Sequence, residues 1–149
     1  MRHVISGLQV RPAVKKWFIP QILKLVALYF GGVFGIGFLL GIIRTLWVAS
    51  YVSTRLAELA EMPLMLVAML LTVHLLNRHF SMPHTTAGRL GVGLIALCFL
   101  LAAELGGVLW LRGLTLDEYF ASRDPIAGTA YVGVLVLFAA MPVLVRQRS

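Results

Sequence analysis

Four long apolar runs dominate this chain of 149 residues and constrain its fold more than any other feature. They cover residues 25–43, 56–76, 90–111 and 126–145. An α-helix rises about 1.5 Å per residue, so roughly 20 apolar residues cross the hydrocarbon core of a bilayer. The runs are continuous and lack the period of two that a membrane β-strand shows. The sequence therefore predicts an all-α polytopic membrane protein, a bundle of four transmembrane helices.

The composition agrees with this fold class. Hydrophobic residues make up 60% of the chain and charged residues 13%, whereas a soluble domain has about 25% charged residues. High hydrophobicity excludes intrinsic disorder, and the single cysteine excludes an intramolecular disulfide framework. We expect one transmembrane domain over residues 1–149, with short interfacial segments at about 10–20 and 116–123. Thr115 and Glu118 have the spacing of a capping box, which predicts where the second segment begins.

Lysine and arginine residues outside the apolar runs are unevenly distributed. Nine lie before the first run, between the second and third, or after the fourth, against four in the other connections. The acids of the connections, Asp117, Glu118 and Asp124, all fall in the second group. Cytoplasmic segments carry the excess of positive charge, so both termini are predicted to be cytoplasmic. We interpret the net charge of +7 as an orientation signal that also attracts anionic lipid, and expect no nucleic-acid partner.

Four ionisable residues lie in the half of the predicted bundle away from the termini. Arg44 ends the first run, Glu58 and Glu61 open the second, and Glu104 lies about 12 Å from the end of the third. Charges inside a bilayer are costly, so each group needs a partner or a cavity. If the helices bring them together, Arg44 pairs with one carboxylate and an excess of acid remains. If that partner is Glu104, its replacement by leucine should destabilise the bundle.

Two interpretations of this charged set stay open. One is a site for a proton, a cation or a polar ligand; the other is an ion-pair network that holds three helices in register. One side of the second helix carries the two glutamates in a stripe that we expect to face the bundle: Glu58, Glu61, Met62, Met65, Met69 and Thr72. Pro63 belongs to the first turn of this helix if the helix begins near Glu61, and kinks the helix if it begins earlier.

Glycines of the first run form two pairs with the small-xxx-small spacing of helix contacts. Gly31 pairs with Gly35, and Gly37 pairs with Gly41. The two pairs lie about 120° apart around the helix. One face can serve the bundle interior and the other a second protomer or a partner protein; internal packing of both faces is equally open.

No cofactor, metal site or catalytic residue is predicted. Methionines at helical spacing are typical packing residues, and the histidines lack the repeated spacing of a structural metal site. The chain contains none of the nucleophile, phosphate-binding, dinucleotide or zinc motifs of soluble enzymes. An enzymatic function is therefore not expected.

Three short stretches carry a resemblance to a known group of proteins. They are GFLLGIIR (37–44), ELAEMP (58–63) and AAE (102–104). With them the chain resembles uncharacterised bacterial inner-membrane proteins that have four helices and no assigned activity. The resemblance implies four spans and a bacterial inner (plasma) membrane. It implies no substrate, cofactor or catalytic residue.

Two functions from different classes follow as hypotheses. The first is an accessory or interaction protein that assembles with itself, as a homo-oligomer, or with a larger membrane-protein complex. The second is a proton- or small-cation-coupled transporter or channel that uses the carboxylates. The first is favoured because little but leucine and valine follows Thr72 on the way to the cytoplasmic side.

Overall fold

The computed structural model describes residues 12–111, 113, 115–121 and 124–145. Its helices, with a 3₁₀ turn at Val48–Ser50, are α1 (Pro12–Leu46), α2 (Thr54–His79), α3 (Thr86–Leu111), α4 (Leu116–Ala121) and α5 (Pro125–Leu144). Four of these helices are long and apolar enough to cross a membrane, and the described residues contain no strand. The prediction of an all-α membrane protein with four spanning helices is confirmed.

Helices α1, α2 and α3 are longer than their apolar runs. Helix α1 begins at Pro12 and continues through Pro20, so residues 12–20 are helical and continuous with the first span; residues 10 and 11 lie outside the described part. Pro12 is the first residue of α1, a position where proline is tolerated because the amide it lacks would have no partner within the helix. Helix α2 begins after Ser53, whose Oγ accepts a hydrogen bond from the Leu56 amide at 3.4 Å. Pro63 therefore lies inside α2, so the helix begins before Glu61.

The long helices run alternately up and down and form a ring. Helix α1 packs against α2 and α3, and α5 packs against the same two helices. Helices α1 and α5 are therefore diagonal, as are α2 and α3. We call the end that holds Arg44 the Arg44 end and the opposite end, which holds Arg89, the Arg89 end. The charged set predicted from the sequence belongs to the Arg44 end.

Apolar side chains face outwards on all four long helices. Leu39 on α1, Leu71 on α2, Phe99 on α3 and Val136 on α5 are each about half exposed or more. A water-soluble bundle would bury such residues, because exposing them to water costs about 25 cal/mol per Å². Their outward direction fits a surface covered by lipid.

A tyrosine crosses the bundle and completes the hydrogen bonding of α5. Pro142 lacks the amide that would donate to the Phe138 carbonyl four residues earlier. The hydroxyl of Tyr29 donates to this carbonyl at 2.7 Å, and the two rings stack with centroids 4.5 Å apart. Both side chains are fully buried. The phenol therefore takes the place of the missing amide, as a backbone group buried away from water requires.

We expect Tyr29→Phe to lower the free energy of unfolding by about 1–3 kcal/mol, because it leaves the Phe138 carbonyl without this donor. Pro142→Ala restores the backbone amide. In the Pro142→Ala background the cost of Tyr29→Phe should therefore shrink. Thermal unfolding of the four variants in detergent measures this coupling. Equal costs in both backgrounds would show that the hydroxyl does not replace the amide.

A buried arginine ties three segments together at the Arg89 end. Arg89 donates from Nε to the Pro83 carbonyl at 2.9 Å, and from Nη1 to Pro142 O at 3.0 Å and Asn77 Oδ1 at 3.1 Å. Asn77 in turn donates to the Val145 carbonyl at 2.7 Å. A cation beside the last carbonyls of α5 also interacts favourably with the helix dipole. These contacts join the ends of α2, α3 and α5.

Carboxylates cap the helices at the Arg44 end. The predicted capping box is confirmed, since Glu118 N donates to Thr115 Oγ1 at 3.3 Å and Thr115 N donates to Glu118 Oε2 at 2.8 Å. Asp124 caps α5 by accepting from two backbone amides and also accepts from Arg55 Nε at 2.8 Å. The bonds from Thr115 lower the pKa of Glu118, and those from Arg55 lower that of Asp124. Because these pKa values are lower in the folded chain, the contacts stabilise the fold at neutral pH, and this contribution is lost as the pH falls through the lowered values.

Candidate ligand cavity

Side chains of the four long helices line a partly open cavity of about 630 Å³ at the Arg44 end. Along α2 its lining extends from Glu58 to Met69, which is about 16 Å of helix. One turn beyond Met69, Val73 is fully buried. Tyr29 and Phe138, which are also fully buried, belong to the same core cluster. The cavity therefore ends in the packed core and does not continue to the Arg89 end.

All four charged residues singled out in the sequence line this cavity. Arg44 Nη1 lies 3.0 Å from Glu61 Oε2 and 3.9 Å from Glu58 Oε1, and all three side chains are partly buried. Glu104 lines the same space from α3. With every group ionised, three carboxylates face one guanidinium, so the set carries an excess of negative charge. The structure therefore brings the four predicted residues together, with two more carboxylates than guanidinium groups.

Glu104 is paired with Tyr131 and not with Arg44. The hydroxyl of Tyr131 on α5 donates to Glu104 Oε2. Arg44, by contrast, pairs with the glutamates of α2. The hypothesis that Arg44 is the ion-pair partner of Glu104 is therefore wrong. The α1–α2 link is an ion pair, and the α3–α5 link is a hydrogen bond from a neutral phenol. Sequence reasoning missed Tyr131 because a tyrosine near the end of a span is also typical of the membrane interface.

The deeper walls of the cavity are apolar. On α2 they consist of Met62, Met65 and Met69, which extend the stripe of the two glutamates as the helical spacing predicts. On α1 they include Phe34 and Phe38, whose ring centroids lie 6.2 Å apart. The site thus combines carboxylates with flexible thioethers and aromatic faces.

The two glycine pairs of α1 face different surroundings. Gly37 and Gly41 line the cavity, and a Cβ atom at Gly37 would lie 3.0 Å from Met65 Cε. A Cβ atom at Gly31 or Gly35 would meet nothing within 4 Å. The absence of side chains at Gly37 and Gly41 therefore enlarges the cavity, whereas Gly31 and Gly35 lie on an open face of α1.

The described residues contain no group of three histidine, cysteine, aspartate or glutamate side chains that could hold a metal ion. Within the cavity, Arg44 lies where a cation between Glu58 and Glu61 would have to bind. Comparisons with protein families, with curated proteins and with solved structures find no match for the chain.

Proposed function

We propose that this chain is a membrane transporter whose acidic cavity binds a cation and couples to proton or cation movement across the bilayer. The observation that carries the proposal is the meeting of three carboxylates with one arginine in a cavity inside a membrane-spanning bundle. Ionisable groups at such positions typically mark ion or substrate paths. Because the Arg89 end is packed, transport requires that the contacts there open during the cycle.

The excess of lysine and arginine near the termini supports an orientation with both termini in the cytoplasm. The cavity would then lie on the outer side of a bacterial inner membrane. The resemblance to uncharacterised four-helix inner-membrane proteins supports the same location. In this orientation a ligand enters the acidic cavity from the periplasm.

Glu104→Gln tests the proposal. We expect it to lower proton or cation flux into liposomes by about tenfold or more, which corresponds to about 1.4 kcal/mol or more. The uncharged amide can no longer exchange a proton or balance a cation. Flux is measured with a pH-sensitive or sodium-sensitive dye trapped inside the liposomes, with a membrane potential imposed. Asp117→Asn is the matched control, since Asp117 is an exposed acid at the same end outside the cavity. Wild-type liposomes that stay tight under every gradient would contradict the proposal.

Assembly with itself or with a larger membrane complex is a second candidate function. The open face of α1 at Gly31 and Gly35 supports it, because small residues allow two helices to approach closely in a bilayer. Native mass spectrometry of the detergent-solubilised protein tests this candidate. A monomer that co-purifies with no other protein would contradict it.

A further inference from the structure

We propose that the ligand of the acidic cavity is a monovalent organic cation with an apolar body, not a bare metal ion. This inference rests on the proposed function and names the class of substrate. It follows from the size of the cavity, from the partners of its charges and from the chemistry of its walls.

The size of the cavity fits an organic molecule. A volume of about 630 Å³ lies within the range of about 300–1,000 Å³ that is usual for pockets that bind small molecules. A bare hard cation needs six or so oxygen ligands converging within about 2.6 Å. Here one oxygen of Glu58 and one of Glu61 already face Arg44, and one oxygen of Glu104 accepts from Tyr131. The described residues offer no such convergent set.

The charges of the cavity favour a cation over an anion. The guanidinium of Arg44 is engaged by two carboxylates and is poorly placed to bind an anionic ligand as well. Glu104 has no lysine, arginine or histidine of the described residues within ion-pair distance. Within the described part of the chain, Glu104 accepts a hydrogen bond from the neutral phenol of Tyr131. An ammonium group beside Glu104 would supply the positive charge that this carboxylate lacks.

The walls fit an apolar body next to that charge. Phe34 and Phe38 present aromatic rings inclined by 22° to one another, and a cation within about 6 Å of such a ring is attracted by its quadrupole. Met62, Met65 and Met69 are unbranched and polarizable, so they adapt to ligands of different shape. A small hydrated ion would make few favourable contacts with these apolar walls.

Binding to the protein in phosphatidylcholine nanodiscs tests this inference with three probes, measured by isothermal titration calorimetry. Benzyltrimethylammonium carries a charge and an apolar body, tetramethylammonium carries the charge alone, and benzenesulfonate carries an apolar body with the opposite charge. We expect benzyltrimethylammonium to bind at least about tenfold more tightly than tetramethylammonium, with no saturable binding of benzenesulfonate. Glu104→Gln should weaken the binding of benzyltrimethylammonium by a similar factor, and Asp117→Asn should leave it unchanged.

Two variants keep the result interpretable. Glu104→Asp retains the charge and should bind benzyltrimethylammonium more tightly than Glu104→Gln. Phe38→Leu alters an aromatic wall that is more than half exposed, and should weaken benzyltrimethylammonium more than tetramethylammonium. If flux depends on Glu104 but the two ammonium probes bind equally, the inference on ligand class is wrong and the proposed function stands. If neither flux nor binding of any cation depends on Glu104, both are wrong.

Discussion

Gly93→Ala is expected to lower the free energy of unfolding by about 3 kcal/mol, at the upper end of the usual cost of overpacking. A Cβ atom at position 93 of α3 would lie 2.0 Å from the carbonyl oxygen of Ala139 on α5. The obstacle is backbone and cannot move like the end of a flexible side chain. The two helices would have to separate, which would loosen the buried packing around Phe138.

Gly91→Ala is the matched control on the same helix, because a Cβ atom at Gly91 would meet nothing within 4 Å. Alanine has a helix propensity up to about 1 kcal/mol better than glycine, so this variant should be neutral or slightly stabilised. Thermal unfolding of both variants in the same detergent measures the difference. Equal stability of the two variants would contradict the close contact of α3 with α5.

Arg89→Met is expected to cost about 3 kcal/mol or more, because it removes one charged donor from three acceptors and each buried acceptor left without a donor costs about 1–3 kcal/mol. Arg89 is 8% exposed, and methionine conserves much of its length while it removes every donor. The carbonyls of Pro83 and Pro142 and the side-chain oxygen of Asn77 would each lose a hydrogen bond. Chemical or thermal unfolding in detergent measures the loss.

Arg55→Met is the comparison at the opposite end of the bundle. Arg55 binds the carboxylate of Asp124, and its side chain is about half exposed. Exposed ion pairs contribute little because water and salt screen them. We therefore expect a far smaller change than for Arg89→Met. Similar losses for the two variants would mean that the network around Arg89 does not hold the Arg89 end together.

The apolar runs were sufficient to predict the four spanning helices, because a bilayer permits few other ways to satisfy the backbone. Spacing on α2 also predicted that Glu58, Glu61 and the three methionines share one side, which lines the cavity. The ring order of the helices was not predictable, since periodicity shows which side of a helix is buried and not which helix covers it. That order places Tyr131 next to Glu104 and Tyr29 next to Phe138.

Arg89 has one role that the sequence indicates and another that only the structure shows. In the sequence it precedes an apolar run and counts as a positive charge that orients the chain. In the structure its guanidinium is buried among carbonyl oxygens. Only the juxtaposition of the ends of α2, α3 and α5 reveals this second role. The continuation of α1 through Pro20 escaped prediction for a related reason: proline marks the end of many helices but is tolerated in those of membranes.

Thiol labelling in nanodiscs tests most directly whether a water-accessible acidic cavity lies inside this membrane bundle. Met62→Cys places a thiol in the cavity, Tyr51→Cys places one in the exposed connection, and Leu71→Cys places one on the apolar outer surface. Each is made in a Cys98→Ala background, because Cys98 is exposed on α3. With a charged, membrane-impermeant thiol reagent, we predict that Met62→Cys reacts at a rate closer to that of Tyr51→Cys than to that of Leu71→Cys. A Met62→Cys thiol as unreactive as the one at position 71 would contradict the cavity and, with it, the proposed function.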